Sequence, residues 1–186
     1  MARILIVYGT TEGHTALIAE RIGGAIRSAG QEVELHDAKD IRKQKLTGAF
    51  DGVIVGGSIH AGDYQGNLRE FVKGNRALLE DVPSAFFTVS LSAADPDEEA
   101  RADIQSTVQK FVQETGWQPR HVVPIAGALV YTHYNIFVRH LMKLIAKSHG
   151  RTELDTSQDY DFTDWAAVES FGREFAEELT KAARVA

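Results

Sequence analysis

Residues Thr10-Thr11-Glu12-Gly13-His14-Thr15 stand just behind the apolar run Ile4-Leu5-Ile6-Val7, and a helical pattern begins directly after them. A continuous apolar run of this length reads as a strand buried on both faces, and only a sharp turn can carry it into a helix so soon. This junction narrows the fold most, because a strand feeding straight into a helix is the first half of a β-α-β unit. Behind it, Ile18, Ile22, Ala25, Ile26 and Ala29 recur at helical spacing, and Gly30 closes the helix. The alternation then repeats. Val33 to His36 reads as a second strand, Gly52-Val53-Ile54-Val55 as a third, Ser84 to Val89 as a fourth and His121 to Leu129 as a fifth. Helices are expected around Leu68, Phe71, Val72 and Leu79, around Ile104, Val108, Phe111 and Val112, and from the N-cap Asp164 through Val168, Phe171, Phe175 and Leu179. Alternating strands and helices predict an α/β domain with a parallel sheet, helices on both faces and right-handed crossovers. A chain of 186 residues that is 44% hydrophobic suits one well-buried domain spanning 1–186.

The first turn reads as an anion site. Hydroxyls of Thr10, Thr11 and Thr15 would converge with backbone N–H groups freed at Gly13 and at the helix start, where the helix dipole favours negative charge. A nucleotide P-loop needs a lysine where His14 stands, and Gly9 and Gly13 do not make the G-x-G-x-x-G of a dinucleotide site. A loop of hydroxyls without lysine suits one phosphate monoester that is not transferred, such as that of flavin mononucleotide (FMN). Two further loops, Gly56 to Gly62 and Ser90 to Asp95, follow strands three and four and are rich in small residues. In a parallel sheet all three loops reach the carboxyl rim, where ligands bind at the switch in strand order. The expected cofactor residues are Thr10, Thr11, Glu12, Gly13, His14, Thr15, Ser58, Ile59, His60, Ala61, Gly62, Ser90, Leu91, Ser92, Ala93 and Asp95.

Several function classes drop out. Without cysteine there is no disulfide, thiolate metal site or cysteine nucleophile. Seven histidines occur, but none are paired at i, i+4, and no metal site is expected. No G-x-S-x-G elbow is present. Met1-Ala2-Arg3 runs straight into a strand with no signal pattern, and no apolar stretch approaches the ~18 residues of a spanning helix. The expectation is a cytoplasmic protein, at most attached to a membrane surface. A net charge of −6 argues against nucleic acid as partner. Thr115 to Thr152 nevertheless holds no acid and carries Arg120, Arg139, Lys143, Lys147 and Arg151, leaving −11 on the remainder.

The Thr10-x-x-Gly13-x-Thr15 turn and the two small-residue loops resemble the phosphate loop and flavin loops of flavodoxins. Within that superfamily the chain is similar to the bacterial, oxygen-independent, menaquinone-dependent protoporphyrinogen IX dehydrogenases. The phrases that carry the resemblance are Pro83 to Leu91, Trp117-Gln118-Pro119, Ile125-Ala126-Gly127-Ala128-Leu129-x-Tyr131, Met142-Lys143-Leu144-Ile145 and Tyr160-x-x-Thr163-Asp164-Trp165. The resemblance implies a flavodoxin-like, doubly wound five-stranded sheet of order 2-1-3-4-5 with an insertion after strand five, at about 131–160. It also implies FMN, oxidation of protoporphyrinogen IX to protoporphyrin IX in haem biosynthesis, menaquinone or another quinone as acceptor, and a place at the cytoplasmic face of the membrane. Unlike electron-carrier flavodoxins, loops two and three offer Ile59, His60 and Leu91 and no Trp or Tyr, so an open flavin face is expected.

In the insertion, Arg139, Lys143 and Lys147 fall on one helical stripe and Phe137, Leu141, Leu144 and Ile145 on another. Two readings stay open: a helix packed on the core with solvated cations, or one beside the flavin rim that binds carboxylates or an anionic membrane surface. Tyr131, His133 and Arg139 are the catalytic candidates, by position alone. The alternatives to the dehydrogenase are a flavodoxin-type electron-transfer protein and an NAD(P)H:quinone reductase.

Overall fold

The computed structural model describes residues 1–46, 49–129 and 160–185. Five strands, β1 (Arg3–Gly9), β2 (Glu32–Asp37), β3 (Gly52–Ser58), β4 (Ser84–Ser90) and β5 (His121–Ala126), form one sheet of order β2-β1-β3-β4-β5. Every pairing is parallel, with Leu5 beside Glu34 and Val53, Val55 beside Phe86, and Phe86 beside Val122. This is the expected flavodoxin-like topology. Strand β1 is central, so side chains that alternate along it go to two cores. Ile4 and Ile6 face α1 (His14–Ser28) and the last helix, where they pack with Ile18, Ile22, Phe175 and Leu179. Leu5 and Val7 face the opposite way and join Val55, Phe71, Phe86, Phe111 and Trp117. Each such large side chain, fully buried, contributes roughly 1.5–3 kcal/mol.

The remaining helices among the described residues are α2 (Ala38–Ile41), α3 (Gly66–Gly74), α4 (Arg76–Asp81), α5 (Glu98–Thr115) and α6 (Trp165–Val185), with a 3-10 turn at Leu91–Ala94. α1 ends as expected, with Gly30 at φ 80° and Gln31 N donating to Ile26 O. Asp164 caps α6 by accepting from Ala167 N at 3.0 Å. Other boundaries depart from the sequence reading for local reasons. The single helix expected over Leu68 to Leu79 is two, broken at buried Asn75, whose amide donates to Gln44 O and Phe71 O and accepts from Leu46 N. Gly56 and Gly57 lie inside β3, not in a loop. A Cβ on Gly56 would stand 1.9 Å from the Phe87 ring, and one on Gly57 would stand 2.8 Å from Leu68 and Tyr64. The fifth strand stops at Ala126, where Gly127 N donates to Ser90 O, and β6 (Ala128–Leu129) pairs antiparallel with β7 (Tyr160–Asp161). The expected insertion at about 131–160 lies outside the described residues except for Tyr160. Among the described residues no helix is long and apolar enough to cross a membrane.

Candidate functional site

At the carboxyl rim of the sheet, a recess of about 70 Å³ is walled by the ends of β1, β3 and β4 and by Gly127 and Ala128. Ten of the sixteen expected cofactor residues line it: Thr10, Thr11, Glu12, His14, Thr15, Ser58, Ile59, His60, Ser90 and Leu91. Gly13 sits at the turn itself. Its φ of 91° is left-handed, which a glycine adopts without the Cβ penalty, and a Cβ there would meet nothing within 4 Å. Thr10 Oγ1 accepts from Gly13 N at 2.9 Å, so this hydroxyl locks the turn rather than waiting free for a guest. The first turn of α1 has no acid and no side-chain cap, which leaves its leading N–H groups to an anion.

The second loop is held by contacts that the sequence reading did not find. His60 and Asp63 exchange backbone hydrogen bonds across Ala61 and Gly62, both at positive φ (51° and 76°), so these two expected residues form the tip of a tight turn beyond the recess. Asp63 is bound to Arg69 Nη2 at 2.5 Å and lies 3.3 Å from Lys110 Nζ. Burial raises its carboxyl pKa, but the Tyr64 N–H and those two cations outweigh burial and hold it below the usual carboxylate range. Gln65, just before α3, donates from Nε2 to Ser58 Oγ at 2.7 Å, Ser58 O at 3.2 Å and Thr11 Oγ1 at 3.0 Å. This one amide clasps loop one to loop two. Its Oε1 is buried without a hydrogen-bond partner, and it would stand 2.8 Å from a Cβ on Gly9. Gly9 therefore makes room for the clasp.

On the other side of the recess, His14 is joined to the segment that leads into α6. Thr163 Oγ1 donates to Ala126 O at 2.8 Å, so the 2.7 Å contact between it and His14 Nε2 requires the imidazole to donate. The proton of neutral His14 is thus on Nε2. Asp161 lies 3.7 Å from the same nitrogen and is bound by Thr163 N and Trp165 Nε1, while the Trp165 ring meets His14 edge-on at 5.7 Å. Burial lowers the His14 pKa, against a smaller upward pull from Asp161. Asp161 is itself pushed up by burial but held below the usual range by its bonds from Thr163 and Trp165 and by His14.

The third loop divides at its 3-10 turn. Ser90 Oγ caps that turn by accepting from Ala93 N at 3.2 Å, and Ser90 and Leu91 face the recess. Ser92, Ala93 and Asp95 instead line a much larger cleft, about 1010 Å³, between α5 and β5. The catalytic candidates Tyr131, His133 and Arg139 lie outside the described residues, as do Lys143 and Lys147. Gln65 and Thr163 are the functional side chains that sequence reasoning missed. Thr163 was visible only as part of a recurring phrase, and Gln65 had no local signal.

The donor set fits a phosphate monoester. Hydroxyls and open helix N–H groups meet at a left-handed glycine, and among the described residues no lysine or arginine lines the recess. At about 70 Å³ it has room for a phosphate group but not for a tricyclic ring.

Comparison with known proteins agrees. The model of the flavodoxin domain family matches residues 5–155. Protoporphyrinogen IX dehydrogenase [quinone] of Escherichia coli (strain K12) is 34% identical over 174 residues, covering 94% of each chain. A protein of the same name from Leishmania major is 34% identical over 177 residues, covering 94% of this chain and 74% of its own. Among solved structures, the flavodoxin, WrbA-like protein from Agrobacterium tumefaciens superposes with a TM-score of 0.55 at 14% identity, covering 97% of this chain and 99% of its own, and so speaks to the fold alone.

Proposed function

Because the chain belongs to the flavodoxin domain family, we propose that it is an FMN-dependent dehydrogenase that oxidises protoporphyrinogen IX to protoporphyrin IX and passes the electrons to a quinone. The observation that carries this reading is the match over 94% of the chain at 34% identity to relatives of that name. The site supports it. The recess offers hydroxyls and helix N–H groups to one phosphate, and among the described residues no Trp or Tyr lines it, which supports a flavin face open to a bulky substrate. FMN held there supplies the two-electron acceptor chemistry, three times per macrocycle, and a quinone restores it.

The chain's own contribution is placement. Thr10 fixes the Gly13 turn, Thr11 and Thr15 present hydroxyls to the phosphate, and Gln65 keeps loops one and two at a constant separation. Ser58, Ile59, His60, Ser90 and Leu91 form the wall against which the ring is oriented. His14, neutral with its proton on Nε2, joins the phosphate loop to Thr163. Two further parts of the proposal concern residues outside those described: attachment to an anionic membrane surface through Arg139, Lys143 and Lys147, and proton handling by Tyr131 or His133.

The test is anaerobic. FMN-loaded protein is mixed with protoporphyrinogen IX, and flavin bleaching is followed together with porphyrin fluorescence, with and without a menaquinone analogue. Bleaching in step with porphyrin formation, and turnover only with quinone, is the expected result. A flavin that stays oxidised, although dithionite reduces it, would overturn the assignment in favour of an electron carrier or NAD(P)H:quinone reductase.

A further inference from the structure

We propose that His14 is the countercharge for the phosphate of the flavin nucleotide: its imidazole takes up a proton at Nδ1 as the dianion settles in the recess, so that FMN binding and protonation of this chain are linked. This rests on the FMN reading of the recess above, and not on which substrate reduces the flavin. A phosphate monoester has its second pKa near about 6 and is mostly a dianion at neutral pH. Among the described residues that line the recess there is no lysine or arginine, and Glu12 has the wrong sign. The leading N–H groups of α1 offset only about half an elementary charge. The two bases in the wall that can supply a full positive charge near neutral pH are His14 and His60.

The surroundings of His14 suit a ring that changes charge in place. The ring forms part of the recess wall, and its Nε2 donates to Thr163 Oγ1 at 2.7 Å. Nε2 carries a proton in both the neutral and the cationic imidazole, so this bond survives protonation and no residue has to move. The second proton goes to Nδ1, which has no hydrogen-bond partner among the described residues. Asp161, 3.7 Å from Nε2, stands beside the ring. Burial raises the pKa of its carboxyl, but the bonds from Thr163 and Trp165 hold it below the usual carboxylate range, so it is present as an anion to meet an imidazolium. The other charges nearby lend no net help: Arg21, over the Trp165 ring at 5.3 Å, is paired with Glu169 at 3.1 Å, and Glu12 and His60 share the recess wall. Burial keeps the imidazole neutral, against the smaller upward pull of Asp161, until a dianion lies beside it. An opposite charge within about 4–6 Å raises such a pKa by roughly one to three, which carries it from below its ordinary 6.5 to above neutrality. The complex then binds more protons than its separate partners, so FMN affinity rises as the pH falls. Riboflavin has no phosphate and gives the ring no such partner, so the same step favours the phosphorylated flavin.

The test is calorimetric. FMN and, separately, riboflavin are titrated into protein stripped of flavin at pH 7.0, in two buffers of different ionisation enthalpy, which gives the number of protons taken up on binding. The expected result is roughly half to one proton per FMN in the wild type, about none for riboflavin, and about none for FMN in His14→Gln, whose side-chain amide can still donate to Thr163. Between pH 7 and 9 the FMN affinity of the wild type should fall about tenfold, and that of His14→Gln by no more than about twofold. A second measurement needs no variant: in wild type labelled with nitrogen-15 histidine, one imidazole should pass from the neutral to the doubly protonated pattern when FMN is added at pH 7.0. Equal proton uptake by the wild type and His14→Gln would overturn the role of His14, by placing the proton on His60 or on the phosphate itself, and would leave FMN binding standing. A wild type that binds FMN with no proton uptake and no change in any imidazole would overturn it as well. A wild type that does not bind FMN would remove the FMN reading, and the role of His14 with it.

Discussion

The recess and the cleft share the turn Leu91–Ala94 as a wall, yet they are built on opposite principles. The recess is small and tied by hydrogen bonds between separate elements, most of them far apart in sequence: Gln65 to Thr11 and Ser58, His14 to Thr163, and Thr163 to Ala126. The cleft is wide, and Arg101, Gln105, Gln109 and Gln113 in its wall come from a single helix. A permanently held cofactor gains from a pre-ordered site, because little conformational entropy remains to be lost on binding. The molecule therefore spends its long-range polar contacts on one side of the turn and its free volume on the other.

This contrast can be broken by mutation. The largest effect is expected from Thr15→Val, which keeps shape but removes a buried hydroxyl lining the recess: FMN affinity measured by fluorescence quenching should fall by about 2 kcal/mol, roughly 30-fold, with riboflavin binding unchanged. Gln65→Leu should weaken FMN by about 1 kcal/mol, a factor of roughly five, by freeing loop one from loop two. Its denaturation midpoint should move little, since the change also removes the unpartnered Oε1. Gly13→Ala should cost about 1 kcal/mol of stability by forcing a Cβ into the left-handed region, with no steric contribution.

The smallest effect is a pH dependence. His14 has a pKa lowered by burial from its ordinary 6.5, so its stabilising contribution is complete above about 6.5 and is lost as the pH falls below it toward the folded value. Unfolding free energy from urea titrations at pH 7.5 and 5.5 should therefore fall less in His14→Gln than in the wild type. An identical fall in both would remove His14 as a source of the slope.

Much of this was legible in the residues. Ile4 to Val7 and Val53 to Val55 are continuous apolar runs because both faces of a central parallel strand are covered, and the helical spacing of Ile18, Ile22 and Ile26 marks the face that covers one of them. The Thr10 to Thr15 turn announced an anion site through residue types that work locally, within one turn of chain. The extent of β3 was misread because Gly56 and Gly57 look like a loop by themselves. They are strand because Phe87, Leu68 and Tyr64 lie where their side chains would be. The break at Asn75 was hidden for the same reason, since its partners Gln44 and Leu46 lie about thirty positions away. Ser92, Ala93 and Asp95 read as cofactor residues by adjacency to Ser90, but a 3-10 turn rotates successive side chains to different sides.

The sequence by itself determined the alternation of elements, the parallel sheet and its two cores, the phosphate-type turn and the family resemblance, because all of these depend on periodicity and on neighbours within a few residues. Only the tertiary structure decided that Gln65 clasps the first two loops, that Thr163 fixes the tautomer of His14 across 149 positions, and that the third loop walls both the recess and the cleft. Those facts depend on which distant backbones the parallel crossovers bring within hydrogen-bond reach, and no local pattern encodes a distance of 3 Å between residues that far apart.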